Sequence, residues 1–447
     1  MSQLTDAIPK REVFYDPWTS GKCFFIANDR GNFMPVAQGD LKRLLKQDGI
    51  SSVVPKDETV SELDKMLNEI QLSRDVDYAG PLAGYKQGLH KVKGKKVLVT
   101  EPPKFIDPDD GKDRDWATWR AVLTNLLGED QLPYLYSWLK IGITALRQGK
   151  RRPGQALVMA GPHGCGKSLV QNQITKLLGG REQKPYQYMT GGTQFNGELF
   201  QAEHLMIEDE AASFDFRDRH KLGARIKEFV VNEAQRCHPK NRQGLTLFPF
   251  WRLTITLNDE PEALMVLPTL DESIQDKLIL LRAFKAEMPM PTTTLEERWA
   301  FMDVLDADLR RFVHFLLNEW EVPEELKCSR YGVVHFHHPE LLQMMSTLSP
   351  EAKLLSLIDT EVFKKNGPLW DNVEDHWEAW EGRSAEIETI LTGKDSSVAY
   401  EARQLLKYNS ACGQYLSRLM KVHGDRVKKL PMLDGNQRWR IEAPIGR

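Results

Sequence analysis

Residues 156–168 read Ala-Leu-Val-Met-Ala-Gly-Pro-His-Gly-Cys-Gly-Lys-Ser, and within them Gly161-x-x-x-x-Gly166-Lys167-Ser168 has the residue types and spacing to hold a chain of phosphates. Glycines let successive backbone N–H groups turn inward around an anion, and a helix starting directly behind them adds the positive end of its dipole. Gly161, Pro162, His163, Gly164, Cys165 and Gly166 would form the cradle. Lys167 would reach the β- and γ-phosphates and Ser168 would hold Mg²⁺. The flanks suit this chemistry: Leu157-Val158-Met159 is a short apolar strand, and apolar residues recur at helical spacing through 169–178 before Gly179-Gly180. A chance glycine-rich turn is the plain alternative, and the strand–loop–helix context argues against it.

Three further segments carry chemistry. His204-Leu205-Met206-Ile207 is an apolar strand ending in Glu208-Asp209-Glu210. A carboxylate at the end of a strand beside a phosphate loop is what Mg²⁺ coordination requires, and a second can orient and deprotonate an attacking water. Three consecutive acids leave the division open: Asp209 is assigned to the metal, and Glu210 or Glu208 to the base. The plain alternative is an acidic strand end facing solvent. Residues 250–257 form another strand, followed by Asn258. Asn258 could sense the γ-phosphate and position the lytic water, although asparagine at a strand end also serves ordinary turns. Between these strands lies Cys237-His238-Pro239-Lys240-Asn241-Arg242-Gln243-Gly244, a basic, turn-rich segment suited to a hairpin that offers cations to a phosphate backbone. A solvated loop is the equal alternative.

In order and compactness, the run from Gly161 to Asn258 resembles the superfamily 3 helicases of the AAA+ class, and more narrowly the helicase portion of phage- and plasmid-type primase-helicases. The matching residues are 161–168, Phe195-Asn196, 207–210, the Lys240 region and Thr256-Leu257-Asn258. The resemblance covers about residues 115–290. It implies an ATP- and Mg²⁺-dependent DNA helicase acting as a homo-oligomeric ring, a hexamer, that draws single-stranded DNA through its pore. Lys240, with Arg242 or His238, would match the pore hairpin. The family also expects an arginine finger after the asparagine strand. Here Lys277 and Arg282 are available, and Arg282 is the choice because a finger must stabilise charge developing during phosphoryl transfer. With half of each site coming from a neighbour, a lone subunit should hydrolyse ATP poorly.

The composition fits this reading without carrying it. The chain has 447 residues, enough for several domains, with 41% hydrophobic and 28% charged residues. A net charge of −3 gives no global attraction to nucleic acid, so any such binding needs a local basic surface. No run of 18 apolar residues marks a membrane span, and the N-terminus lacks the features of a signal peptide. Five scattered cysteines without a C-x-x-C pair suggest a reducing cytoplasm and no zinc site.

The elements that must position the chemistry follow from periodicity and turn signals. The fold class expected is α/β: an AAA+ P-loop core at 151–294, preceded by a small N-terminal α/β accessory region at 1–112 and a helical collar at 113–150. A helical lid and linker at 295–382 and a winged-helix-like domain at 383–447 complete the plan. In the first region Asp29-Arg30-Gly31-Asn32 suggests a hairpin, Asp40 a helix cap, and 97–100 a strand. Trp299, Phe301 and Leu305 open a helical stripe, and 370–380 reads as an acidic, aromatic linker. Residues 394–447 hold eleven Lys+Arg against five Asp+Glu, with two helices and a hairpin turning at Asp434-Gly435-Asn436. On a winged helix, Tyr415, Arg418 and Lys421 would face DNA, with Lys428, Lys429, Arg438 and Arg440 on the wing; the alternative is a winged helix for protein contacts. The first 110 residues leave no room for a full primase, so priming would come from a separate primase or polymerase, or be absent. The reading from another class is an AAA+ or STAND-like nucleotide switch that controls assembly of partners. A P-loop kinase is a third, leaving the asparagine strand unexplained.

Overall fold

The computed structural model describes residues 11–18, 23–109, 111, 115–208, 216–240, 244–264, 266–268, 270, 272–347, 350–363 and 379–443. In the N-terminal region β1 (Val13–Asp16), β2 (Cys23–Ala27) and β3 (Phe33–Val36) form an antiparallel sheet, with Gly31 at φ +83° in the β2–β3 turn. Helices α1 (Gln38–Gln47) and α2 (Glu62–Ser73) bury Leu41, Leu45, Leu63, Leu67 and Ile70 with Val13 and Phe24. Asp40 is not the cap of α1. The helix starts two residues before it behind Ala37, and Asp40 sits in the first turn, where its charge favours the dipole and pairs with Arg43. A second sheet has the order β4 (Tyr78–Gly80), β6 (Lys95–Val99), β5 (Gly88–Val92).

Two helices follow, α3 (Ala117–Leu127) and α4 (Leu132–Gln148), the second ended by Gly149 in the left-handed conformation that a helix C-terminus favours. Trp119, Val122, Leu123, Leu135, Trp138 and Leu139 are all buried in one core, as their stripes require. The central sheet is built from β7 (Ala156–Ala160), β8 (Glu182–Gln183), β9 (His204–Glu208), β12 (Arg252–Leu257) and β13 (Leu278–Arg282). All neighbours are parallel, in the order β13-β7-β12-β9-β8. β7 and β12 are buried along their whole length, as strands covered on both faces of a parallel sheet must be. Between the strands lie α5 (Lys167–Leu177), α6 (Tyr186–Thr190), α7 (Phe216–Val231) and α8 (Pro261–Leu264), with the hairpin β10 (Gln235–Cys237) and β11 (Leu245–Leu247).

Polar staples fix these layers. Gln171 of α5 donates to Thr254 Oγ1 at 2.7 Å and accepts from Thr256 Oγ1 at 3.2 Å, joining helix to β12. Gln131, fully buried, accepts from the Arg282 N–H at 2.8 Å and donates to the Arg282 carbonyl at 2.9 Å. Residues 336–338 pair with Leu280 on the same flank of β13. Helix α9 (Leu295–His314) starts with a capping box between Thr294 and Glu297. It buries Phe301, Leu305 and Phe312 but leaves Trp299 60% exposed, so that residue is not part of the buried stripe. A short pair, β14 (Lys327–Cys328) and β15 (Gly332–Val333), completes this part.

The chain divides into two units at His338/Pro339, inside the segment expected as lid and linker. The second unit holds α10 (Pro339–Thr347), α11 (Pro350–Glu361), β16 (Ala379–Arg383), α12 (Ser384–Thr392), α13 (Ala399–Leu405), α14 (Ala411–Val422), β17 (Val427–Leu433) and β18 (Asn436–Glu442). Its sheet has the order β16-β18-β17, so the end of the expected linker, from Ala379, is a strand, while 370–378 lie outside the described residues. Asp434 and Gly435, both at positive φ, make the two-residue turn of the β17–β18 hairpin. Leu354, Ile358, Ile387, Leu416 and Trp439 form its core. No helix among the described residues is long and apolar enough to cross a membrane.

His204, at the start of β9, is fully buried between two hydroxyls, Thr175 Oγ1 at 2.7 Å and Thr254 Oγ1 at 2.8 Å. Burial pushes its pKa down to about 3. The unfolded chain takes up this proton below about pH 6.5 and the folded chain does not, so stability is fully present above that pH and is lost as pH falls towards 3. Urea unfolding between pH 7.5 and 4.5 should show this group contributing a slope of roughly 1.4 kcal/mol per pH unit below 6.5. A His204→Asn variant should show a shallower dependence on pH.

Candidate nucleotide site and basic hairpin

Strand register brings the chemistry together. Leu257 of β12 and Arg282 of β13 both lie opposite Ala160 of β7, and Thr256 lies opposite Glu208 of β9. The phosphate loop after β7, Glu208, Asn258 and Arg282 therefore emerge at one edge, the carboxyl ends of parallel strands where such sheets bind ligands.

The loop has the form its sequence predicts. Gly164 and Gly166 take φ of +70° and +112°, and Gly166 is the N-cap of α5. At Gly161 a Cβ would sit 2.2 Å from the Ala283 carbonyl oxygen, so only glycine lets the loop pass the end of β13. Lys167 is 7% exposed, and its ammonium donates to the carbonyls of Gly161 at 2.6 Å and Pro162 at 2.8 Å, and to Asn258 Oδ1 at 3.3 Å. Asn258 is thus in direct contact with the loop lysine. His163 and Ser168 are exposed and Cys165 is buried. The open cradle at Gly164, the free first turn of α5 and the cation at its mouth fit a triphosphate. A phosphate would take over the donors that now serve two neutral carbonyls, gaining charge-assisted hydrogen bonds.

Glu208 forms an ion pair with Lys184 at 2.6 Å, which occupies its carboxylate. Asp209 and Glu210 lie outside the described residues, as does Arg242. Among the described residues no group of three or more His, Cys, Asp or Glu could hold a metal ion. Lys277 has a largely buried side chain paired with Asp276 at 2.5 Å, so it is ill placed to reach a neighbour. Arg282 is half-buried, its guanidinium over the Phe284 ring at 5.3 Å and its backbone held by Gln131.

The basic segment is a hairpin: β10 and β11 pair with Cys237 opposite Leu245. Asn196 clamps its root. Its side chain donates to the Arg236 carbonyl at 2.8 Å and accepts from the His238 N–H at 2.6 Å, and its own N–H donates to the His238 carbonyl at 3.2 Å. Phe195 packs on His238, and a Cβ on Gly197 would meet Pro239 at 2.9 Å. Lys240 is exposed beyond this clamp. Sequence reasoning missed what lies beside the hairpin. Arg236 and Thr246, paired across it, line a cleft of about 290 Å³ with Trp18, Asp77, Lys93 and Lys95. Lys93 Nζ sits 4.6 Å over the Phe248 ring, and Trp18 is 48% exposed.

In the second unit Lys421 is exposed, while the other cations expected to face DNA are engaged. Lys428 pairs with Glu442 at 3.4 Å, Arg438 with Glu381 at 3.4 Å, and Arg440 with both acids at 2.9–3.0 Å. Arg418 pairs with Glu351 at 2.7 Å, Lys429 lies over Trp439, and Tyr415 is buried with 6% exposure, so it does not face outward.

Fold and edge together define a P-loop-like α/β core behind a helical pair. A family of unknown function (DUF5906) matches residues 159–273, from the end of β7 past β12. No curated protein matches the sequence. Among solved structures, the A form apo structure of the NrS-1 C-terminal region is similar over 97% of this chain and 97% of that one, with 16% identity and a TM-score of 0.54. An apo structure of the same region, residues 305–718, gives 97% and 96%, 16% identity and a TM-score of 0.54. A JCV helicase structure aligns over 56% of this chain and 65% of that one, with 13% identity and a TM-score of 0.31, too low to bear on the fold.

Replacing Asn196 by Ala strips two hydrogen bonds from the hairpin root. Hydrogen exchange should show faster amides at 236–240, and chemical unfolding a loss of about 1–3 kcal/mol, with nucleotide affinity unchanged.

Proposed function

We propose that the chain is an ATP-dependent DNA helicase or translocase of superfamily 3 type, acting in the cytoplasm as a homo-oligomeric ring on single-stranded DNA. The observation that carries this reading is the Lys167–Asn258 contact at 3.3 Å, formed at the edge where the loop, the acidic strand and the asparagine strand end together. The P-loop kinase reading leaves that asparagine unexplained. The clamped hairpin gives the second half of the reading, an exposed cation, Lys240, just beyond a root that Asn196 fixes.

In this reading 161–168 hold the triphosphate, with Lys167 on its β- and γ-phosphates, and Ser168 with Asp209 holds Mg²⁺. Mg²⁺–ATP, when bound, supplies the phosphoryl group that is transferred to water. Because Glu208 is tied to Lys184, Glu210 takes the role of base and Asn258 orients the water. Arg282 is the cation offered across a subunit boundary, Lys277 being engaged by Asp276. Lys240, with His238 and Arg242, contacts the phosphate backbone, which continues over the cleft of Lys93, Lys95 and Arg236. The second unit, arranged like a winged helix with its cations paired, serves partner contact before DNA grip, and a separate primase or polymerase is the partner class it suits.

ATPase measured with and without single-stranded DNA tests this. DNA should stimulate hydrolysis, and Lys167→Ala should abolish it by roughly 10²–10³-fold or more. Lys240→Ala should lose the stimulation while nucleotide binding remains. Hydrolysis indifferent to DNA, with no strand separation, would instead support the regulatory switch.

A further inference from the structure

Arg252, the first residue of β12, is 7% exposed, and its guanidinium lies in the interior. Nη1 donates to the carbonyls of Arg152 at 3.0 Å and Trp251 at 3.2 Å, while Nε and Nη2 are buried without a hydrogen-bond partner. The charges acting on it are those of Arg151 and Arg152, of its own sign. After desolvation by burial, these hold its pKa down to about 10, still far above neutral pH, so the cation persists. Among the described residues, the acids that touch its surroundings are engaged elsewhere. Glu203, whose carbonyl receives the Arg252 N–H, gives its carboxylate to Arg181 and to the Gly84 N–H at 2.8 Å. Glu233 comes only within 3.8 Å of Arg151, whose Nη1 is likewise buried without a hydrogen-bond partner.

An interior guanidinium without a counter-charge costs several kcal/mol, and one with orphaned donors costs more. Beside it lies a cavity of about 10 Å³, walled by Gly142, Ala145 and Leu146 of α4, by Phe250 and Trp251, and by the three arginines. That is room for one water-sized particle. Phosphate, sulfate and any nucleotide are too large. A water could accept from the orphaned donors but would leave the charge standing, whereas a monatomic anion answers both.

We propose that this cavity is a binding site for one small monovalent anion, chloride, which is somewhat larger than a water and is admitted by a small displacement of the exposed Arg152 side chain on its rim. Glycine makes room for the guanidinium beside it: a Cβ on Gly154 would lie 2.6 Å from Arg252 Cζ, and one on Gly142 3.3 Å from Nε. The anion joins α4, the link at 151–152 and β12, so it acts as an ionic rivet between the helical pair and the central sheet. The site is independent of the ATPase reading.

Melting of the full chain in sodium chloride, sodium bromide and sodium gluconate at equal ionic strength tests it, together with the ³⁵Cl NMR linewidth. Chloride, and less so the larger bromide, should raise the melting temperature, by roughly 1.5–2 °C for each tenfold excess over the dissociation constant, and the wild-type chain should broaden the ³⁵Cl line. Arg252→Met, which replaces the buried cation by an apolar stem, should melt alike in all three salts and leave the line narrow. Should that variant not fold, Arg152→Gln, at the exposed rim, should fold and show a reduced halide response. Equal melting of the wild type in chloride and gluconate, with no broadening, would overturn the proposal and leave water in the cavity.

Discussion

The pairing of β7 with β12 is the constraint on which the rest of the site depends. Leu257 lies opposite Ala160, and the Gly161 N–H donates to the Leu257 carbonyl at 3.2 Å, so the ladder runs into the first residue of the phosphate loop. Because side chains alternate along a strand, a one-residue slip would turn Thr254 and Thr256 away from Gln171 and carry Asn258 off the lysine. Gln171 guards against this from the helix side, its amide both giving to and taking from β12. The loop helix and the asparagine strand are therefore one rigid piece. Gly161 extends that piece to β13, since Ala283 leaves it no space for a side chain.

How much of this was legible in the sequence depended on how local its cause was. The strands β7, β9 and β12 show as apolar runs because both faces are covered, and the loop shows because its glycines answer a local backbone demand. The β17–β18 hairpin shows for the same reason, through Asp434 and Gly435. What stayed hidden was fixed by partners far along the chain. β8 is two residues long and exists only because β9 pairs with it. Lys184 claims Glu208, and nothing about three adjacent acids says which will be claimed. Trp299 obeys the helical spacing of its neighbours yet falls outside the arc that faces α3, and Asp40 sits in the first turn of a helix that begins ahead of it.

Charge was the most deceptive signal. The excess of cations over 394–447 suggested a basic face, but Glu351, Asp359 and Glu381 precede that window and fold back onto Arg418, Arg426 and Arg440. A tally along the chain misses acids that arrive through space. The reverse holds around Arg252, where three arginines converge and only Arg151 has an acid, the exposed Glu233, within reach. At the hairpin cleft Lys93, Lys95 and Arg236 come together from distant parts of a chain whose net charge is −3, with Asp77 pairing Lys95 among them.

Gln131 has a consequence beyond placing Arg282. By giving to and taking from the same residue, its amide stands in for a strand that the sheet does not have, and residues 336–338 do likewise at Leu280. The outer rim of β13 is thereby left without free backbone groups on that stretch, and the opposite rim, β8, offers only two residues. A parallel sheet of apolar strands is a natural template for a stray chain. Here one border of the central sheet is closed over that stretch and the other is two residues long, so this sheet offers little edge on which a further strand could be added.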